Sequence, residues 1–137
     1  MYSKSVIVAS ESCFWLDLAC RKLISNGSVL PSEPKTFDLI TLLVEERHRV
    51  VSREELNARV WNGERVCRAA LTQCIWCARQ LLGDSAKESR FIVTQHRLGY
   101  RFIGRVDEQL QPGGGRLFLL TSASDAFLGA TDYLRVG

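Results

Sequence analysis

The stretch Val51-Ser52-Arg53-Glu54-Glu55-Leu56 constrains the fold more tightly than any other part of the chain. Ser52 and Glu55 have the S-x-x-E spacing of a capping box, in which the hydroxyl accepts from the amide three residues on. Val51 and Leu56 stand at the two positions of a hydrophobic staple around that cap. A helix therefore starts at Arg53 and runs to about Val60, where the turn dipeptide Asn62-Gly63 stops it. A helix fixed at both ends in mid-sequence dictates what its neighbours can be.

Both neighbours are helical. Pro34 suits a first helical turn. Phe37, Ile40 and Val44 recur at i, i+3 and i+7, and Leu39 and Leu43 broaden the stripe, so this first helix is largely buried. The third helix begins near Cys67 or Arg68, without a good N-cap residue, and stops before Gly83. Ahead of the helices, "CFWLDL" and "KLIS" read as short strands, and Asn26-Gly27-Ser28 is a tight hairpin signal. These pieces predict a small antiparallel N-terminal sheet. Behind the helices, the polar loop "GDSAKES" leads to "RFIVT" and "GYRFIG", which flank "QHRL": a hairpin with a basic tip. "QPGGG" at 111–115 reads as a flexible break. The division expected is one domain over 1–110, then a Gly-rich linker and short tail over 111–137. That tail holds a short strand, "RLFLL", and a weak helical pattern with Phe127, Ala130 and Leu134 on one face.

Charge narrows the function. The net charge of +3 is small for 137 residues. Residues 47–105, however, hold twelve Lys and Arg against five Asp and Glu, and eleven of those twelve are Arg. Arg has a planar fork of donors that suits phosphate. No run of 18 apolar residues is present, so no membrane segment is expected. The N-terminus makes a poor signal peptide. Five Cys, an odd number without a secretory signal, favour free thiols in a reducing cytoplasm.

On a helical wheel of about 100° per residue, Leu71, Ile75, Ala78 and Leu82 form the core side of the third helix. Ala69, Gln73, Trp76 and Gln80 lie opposite. Arg68, Thr72 and Arg79 form one flank, and Cys74 and Cys77 the other. This outer face is small, amide and aromatic, with Arg beside it and no acid. Gln can pair with a base edge and Arg can hold phosphates, but an exposed Trp also suits a protein partner. The wheel leaves both readings open. The order of elements decides between them: a buried helix, a capped helix, an Arg-flanked helix and a basic-tipped hairpin make a winged helix-turn-helix. The third helix would enter a major groove of double-stranded DNA, and the hairpin tip would reach the adjacent backbone or minor groove.

At "PKTFDLITLLVEE", "RVVSREELNARVW", "ALTQCIWCARQLLGD" and "RFIVTQHRLGYRFIG" the chain resembles the OmpR/PhoB-type winged-helix DNA-binding domain. It is most similar to the branch with that domain at the N-terminus, the ToxR, CadC and HilA type of transcriptional regulator. The likeness covers roughly residues 12–106. It implies an α+β fold: a four-stranded N-terminal antiparallel sheet, three helices and a C-terminal β-hairpin wing. It also implies transcription regulation by binding repeated sites as a homodimer or head-to-tail pair, with RNA polymerase or another regulator as further partners. Carried over by position, the recognition residues are Ala69, Ala70, Gln73, Trp76 and Cys77. Arg79 falls on a backbone-contacting position, and His96 and Arg97 on the wing tip. With Arg68 and Thr72 from the wheel, these form the expected DNA-binding set. The chain departs from the family pattern at Trp76 and Cys77, where many members are polar, and at Ala69 and Ala70, which replace a frequent polar pair.

Other chemistries find less support. Cys74 and Cys77 lie mid-helix, whereas thiolates gain most at helix N-termini. Cys67 would sit ~10 Å further along the axis, too far to share one metal ion with them. His48 reads as a turn residue. No triad spacing or phosphate loop appears, so neither an enzyme nor a cofactor is expected. The alternative from another class is a winged helix repurposed for protein–protein interaction, such as an antagonist of a related regulator.

Overall fold

The computed structural model describes residues 13–122. β1 (Cys13–Asp17), β2 (Lys22–Ser25) and β3 (Ser28–Leu30) form antiparallel neighbours, and alternation turns Phe14, Leu16 and Leu23 inward. The β2–β3 turn carries Asn26 and Gly27 at φ 54° and 78°. Two successive positive φ values suit the right-handed twist of a tight hairpin, which is why Asn-Gly stands there.

α1 (Pro34–Glu45) has Pro34 in its first turn and buries Phe37, Leu39, Ile40, Leu43 and Val44. α2 (Arg53–Val60) starts at the expected residue, and Ser52 Oγ accepts from Glu55 N at 3.1 Å. Such a cap contributes about 1 kcal/mol. Only this arm of the capping box is seen among the contacts, because the Glu55 carboxylate is taken by Arg49 and Arg59. α3 (Arg68–Leu82) has Cys67 at its N-cap with no side-chain hydrogen bond, and ends on Gly83 in the left-handed region at φ 67°. Asp84 N then donates to Arg79 O at 2.8 Å and closes the last turn.

β4 (Ile92–Gln95) and β5 (Gly99–Phe102) form the expected hairpin, with His96, Arg97 and Leu98 exposed at its tip. Val51, just before the α2 cap, exchanges both backbone hydrogen bonds with Tyr100, at 2.8 and 2.9 Å. At Gly99 a Cβ would stand 2.0 Å from Val51 O, so only glycine permits this approach. The wing is thereby joined to the start of α2.

The linker expected at 111–115 is instead a hairpin turn. β6 (Arg105–Leu110) and β7 (Arg116–Thr121) pair across it, with Gln111 N donating to Gly115 O at 2.7 Å. β7 also pairs with β1, from Leu117 to Thr121, giving a five-stranded sheet of order β3-β2-β1-β7-β6. The four-stranded N-terminal sheet implied by the resemblance is thus replaced, among the described residues, by three N-terminal strands completed by two C-terminal ones. The physical reason is the inward pair Phe118 and Leu120, which lie opposite Leu16 and Phe14 and join the core. The tail helix expected around Phe127, Ala130 and Leu134 lies outside the described residues. One apolar cluster unites the sheet's inner face, the three helices and the wing's Phe91, Ile92, Tyr100 and Phe102.

Candidate nucleic-acid interface

α3 is built to show one face outward. Leu71, Cys74, Ile75, Ala78 and Leu82 are buried, which fixes its rotation. Arg68, Ala69, Thr72, Gln73, Trp76 and Gln80 are exposed, while Ala70 and Cys77 are half-buried. Trp76 is 55% exposed. Gln73 Nε2 lies 3.7 Å from Cys77 Sγ, a weak contact that leaves the amide's other groups facing out. From Arg68 to Leu82 the helix has no acidic residue. Its first turn carries Arg68 at the positive end of the helix dipole, where a cation is disfavoured without an anion nearby.

Arg79 departs from the expectation. It is 8% exposed, and its guanidinium is turned inward, donating through Nη2 to Ile92 O and Thr94 Oγ1, both at 3.0 Å. A wheel gives the direction of Cβ but not the course of a long side chain, and Arg79 bends toward the wing. It joins α3 to β4, so the helix and hairpin keep a fixed relation.

Two further residues position the wing, and neither was singled out from sequence. The buried Asp84 carboxylate accepts from the backbone N–H of Ser85, Arg90, Phe91 and Ile92, at 2.6–3.1 Å. It folds the loop after α3 into β4. An Asp directly after a helix-ending Gly was the available signal, since Asp readily satisfies nearby amides. Arg53 lies over the Tyr100 ring at 5.5 Å. Together with Glu54, it lines a cleft whose other wall is the wing from Thr94 to Tyr100. Arg at the first position of α2 again opposes the dipole, and that was its signal.

Some of the basic residues are committed to acids and others are not. Arg49 and Arg59 are committed to Glu46 and Glu55: Arg49 Nη2 lies 2.6 Å from Glu55 Oε2, and Arg59 Nη1 lies 2.9 Å from the same oxygen. Hydrogen bonds from Arg49, then Arg59, hold the Glu55 carboxyl down at about 2. Arg65, Arg68 and Arg97 are exposed, and their side chains make no hydrogen bond or ion pair among the described residues. Arg97 adopts φ 68°, a left-handed conformation that few non-glycine residues take.

The thiols are not gathered. Burial pushes the Cys74 thiol up to about 11, whereas Cys20 and Cys67 are exposed. Among the described residues no three His, Cys, Asp or Glu side chains are placed to hold a metal ion. No described helix is long and apolar enough to cross a membrane.

Known proteins share this arrangement. Residues 27–102 match the family described as "Transcriptional regulatory protein, C terminal". The transcriptional regulator HilA of Salmonella typhi is 36% identical over 83 residues, covering 56% of this chain but only 15% of HilA. The chain thus corresponds to a small part of that relative's length. The DNA-binding domain of Escherichia coli CadC superposes with a TM-score of 0.51 at 28% identity, over 59% of this chain and 77% of that domain. The Klebsiella pneumoniae RstA DNA-binding domain, solved with the RstA box, superposes with a TM-score of 0.58 at 22% identity, over 65% and 89% of the two chains. With the match running from the first hairpin through α1, α2 and α3 to the end of the wing, the chain belongs to the transcriptional regulatory protein, C-terminal family.

Proposed function

We propose that this domain binds double-stranded DNA and regulates transcription, with α3 in the major groove and the wing tip on the minor groove or flanking backbone. The observation that carries the reading is the outward face of α3. It is free of acid, presents Gln73 and Trp76, and has at its start Arg68, whose guanidinium has no partner among the described residues. Water alone would not select such a surface; a polyanion with readable base edges would. Arg68, Arg65 and Arg97 supply charge to phosphates. Ala69, Ala70, Thr72, Gln73, Trp76 and Cys77 meet the groove, with the two small residues letting the helix approach closely. His96 and Arg97 supply the wing contact. Arg79 has no direct contact in this scheme. The domain acts in the cytoplasm, as a head-to-tail pair on repeated half-sites, and its output passes to RNA polymerase or another regulator.

The test is fluorescence anisotropy of labelled duplexes at several salt concentrations, with Trp76 as the reporter in a Trp15→Phe, Trp61→Phe background. Binding should weaken steeply with salt, and duplex should protect Trp76 from acrylamide. If DNA binds while Trp76 stays equally open, α3 is not the inserted helix. If no duplex binds at low salt and a protein partner covers Trp76, the domain is a protein-interaction module.

A further inference from the structure

The bases that a helix can read in the major groove are set by the groups it turns outward. Guanine is held by a paired fork of donors from Arg or Lys, and cytosine by a carboxylate on its amino group. The middle of α3 offers neither. From Arg68 to Leu82 its only cations are Arg68 and Arg79, and it has no acid. Arg79 is buried and commits Nη2 to Ile92 O and Thr94 Oγ1, at 3.0 Å each. Arg68 lies in the first turn, where the reading above gives it a phosphate.

What remains is one amide in an apolar frame. Gln73 has Ala69 one turn before it and Trp76 and Cys77 one turn after it. Among the described residues, Trp76 is the one large apolar side chain of a helix left exposed. Gln73 Nε2 rests 3.7 Å from Cys77 Sγ, which leaves Oε1 and the second N–H of the amide for a base. That pair fits adenine, whose N6 donates and whose N7 accepts. The apolar side chains have a single match among the base edges of the groove, the C5 methyl of thymine, which is paired with every adenine. Amide and apolar groups thus select the same base pair. The line from Ala69 to Trp76 rises ~10 Å, about three base-pair steps. Arg68 and the lack of acid make the same face attractive to the polyanion that carries those methyls.

We propose, resting on the DNA-binding reading above, that α3 recognises the C5 methyl groups of thymine, with Trp76 packed on them, Ala69 and Cys77 flanking it and Gln73 holding an adenine. The preferred duplex carries a short run of A·T pairs at this face, chosen by the presence of a methyl and not by a cation on guanine. Cytosine methylated at C5 presents the same methyl at the same place on the pyrimidine ring, and recovers part of the apolar contact.

Four alternating duplexes test this as competitors of a labelled random duplex for the full chain, read by anisotropy at one low salt concentration: d(A-T), d(A-U), d(G-C), and d(G-C) methylated at cytosine C5. d(A-U) differs from d(A-T) by the methyls alone. Burying one methyl is worth about fourfold in affinity. d(A-T) should therefore compete about fourfold better than d(A-U), or more where several methyls are covered, and methylated d(G-C) should compete better than d(G-C). Trp76→Ala removes an exposed side chain and should shrink the ratio of d(A-T) to d(A-U). Arg68→Ala should weaken all four duplexes and keep that ratio. Equal competition by d(A-T) and d(A-U) in the wild type, or a ratio that Trp76→Ala leaves intact, overturns the methyl readout while DNA binding stands. Failure of every duplex to bind at low salt overturns the DNA-binding reading itself, and the methyl readout with it.

Discussion

Arg79 Nη2 stands 3.0 Å from Thr94 Oγ1 and 3.0 Å from Ile92 O, which ties the last turn of α3 to the first strand of the wing. Breaking a buried, charge-assisted pair of this kind costs about 1.5–3 kcal/mol. Arg79→Ala should lower stability to urea by that amount. DNA affinity should fall through a loosened wing, with the slope of log K against log salt unchanged. A slope reduced by about one unit would show that Arg79 meets a phosphate after all.

Arg68 should behave in the opposite way. It is exposed, and its guanidinium has no partner among the described residues. Arg68→Ala should leave the melting curve in place and weaken specific and random duplexes alike. It should reduce the salt slope by about one unit. A loss confined to one sequence would make Arg68 a base reader.

Arg97 should separate stability from binding. At φ 68° a side chain is strained by about 1 kcal/mol, and glycine is not. Arg97→Gly should therefore raise the melting temperature slightly while lowering DNA affinity. If both rise together, the wing tip lies outside the interface.

Gln73 and Trp76 should divide the readout. Gln73→Ala should relax preference at one base pair by about 1–3 kcal/mol, measured by selection from a random duplex pool. Trp76→Ala should leave the fold intact, since the indole is 55% exposed, and should lower specific binding. Unchanged sequence preference in Gln73→Ala would place its amide away from the bases.

Glu55 gives the acid limb of stability. Its carboxyl is held at about 2 in the folded chain by Arg49 and Arg59, against an ordinary 4.5. A depressed carboxyl contributes stability above its unfolded value, and that contribution is lost as pH falls toward the folded one. Between about 4.5 and about 2 the wild type should lose stability that Glu55→Gln lacks already at pH 7. Because the pair is largely exposed, added salt should shrink the difference. Identical acid limbs would remove the network from the balance.

What could be read from the sequence was the local part. α2 was legible from its cap because Ser52, Glu55 and Leu56 act within one helical turn. The wheel of α3 was legible because Leu71, Ile75, Ala78 and Leu82 obey a single period, and all four are buried. β7 was visible as a strand, but its place was not. Its partner Phe14 lies more than a hundred residues away from Leu120, and no periodicity encodes that pairing. Gly113, Gly114 and Gly115 read as a linker because a turn and a linker use the same residue types. The inward course of Arg79 was not legible because a wheel places Cβ and not a long stem that turns back under the surface, and Asp84 was passed over because its partners are backbone amides, which carry no sequence signature.

The pairing of β1 with β7 also sets an order of events during synthesis. α1, α2 and α3 need only neighbours close in sequence and can form as the chain emerges from the ribosome. β1 cannot complete its ladder until Arg116–Thr121 has been made, so for most of translation its β7 edge stays open while the strand waits. A chain released early, before β7, would keep its charge but carry an unpaired, Phe- and Trp-bearing edge, open to pairing with other chains.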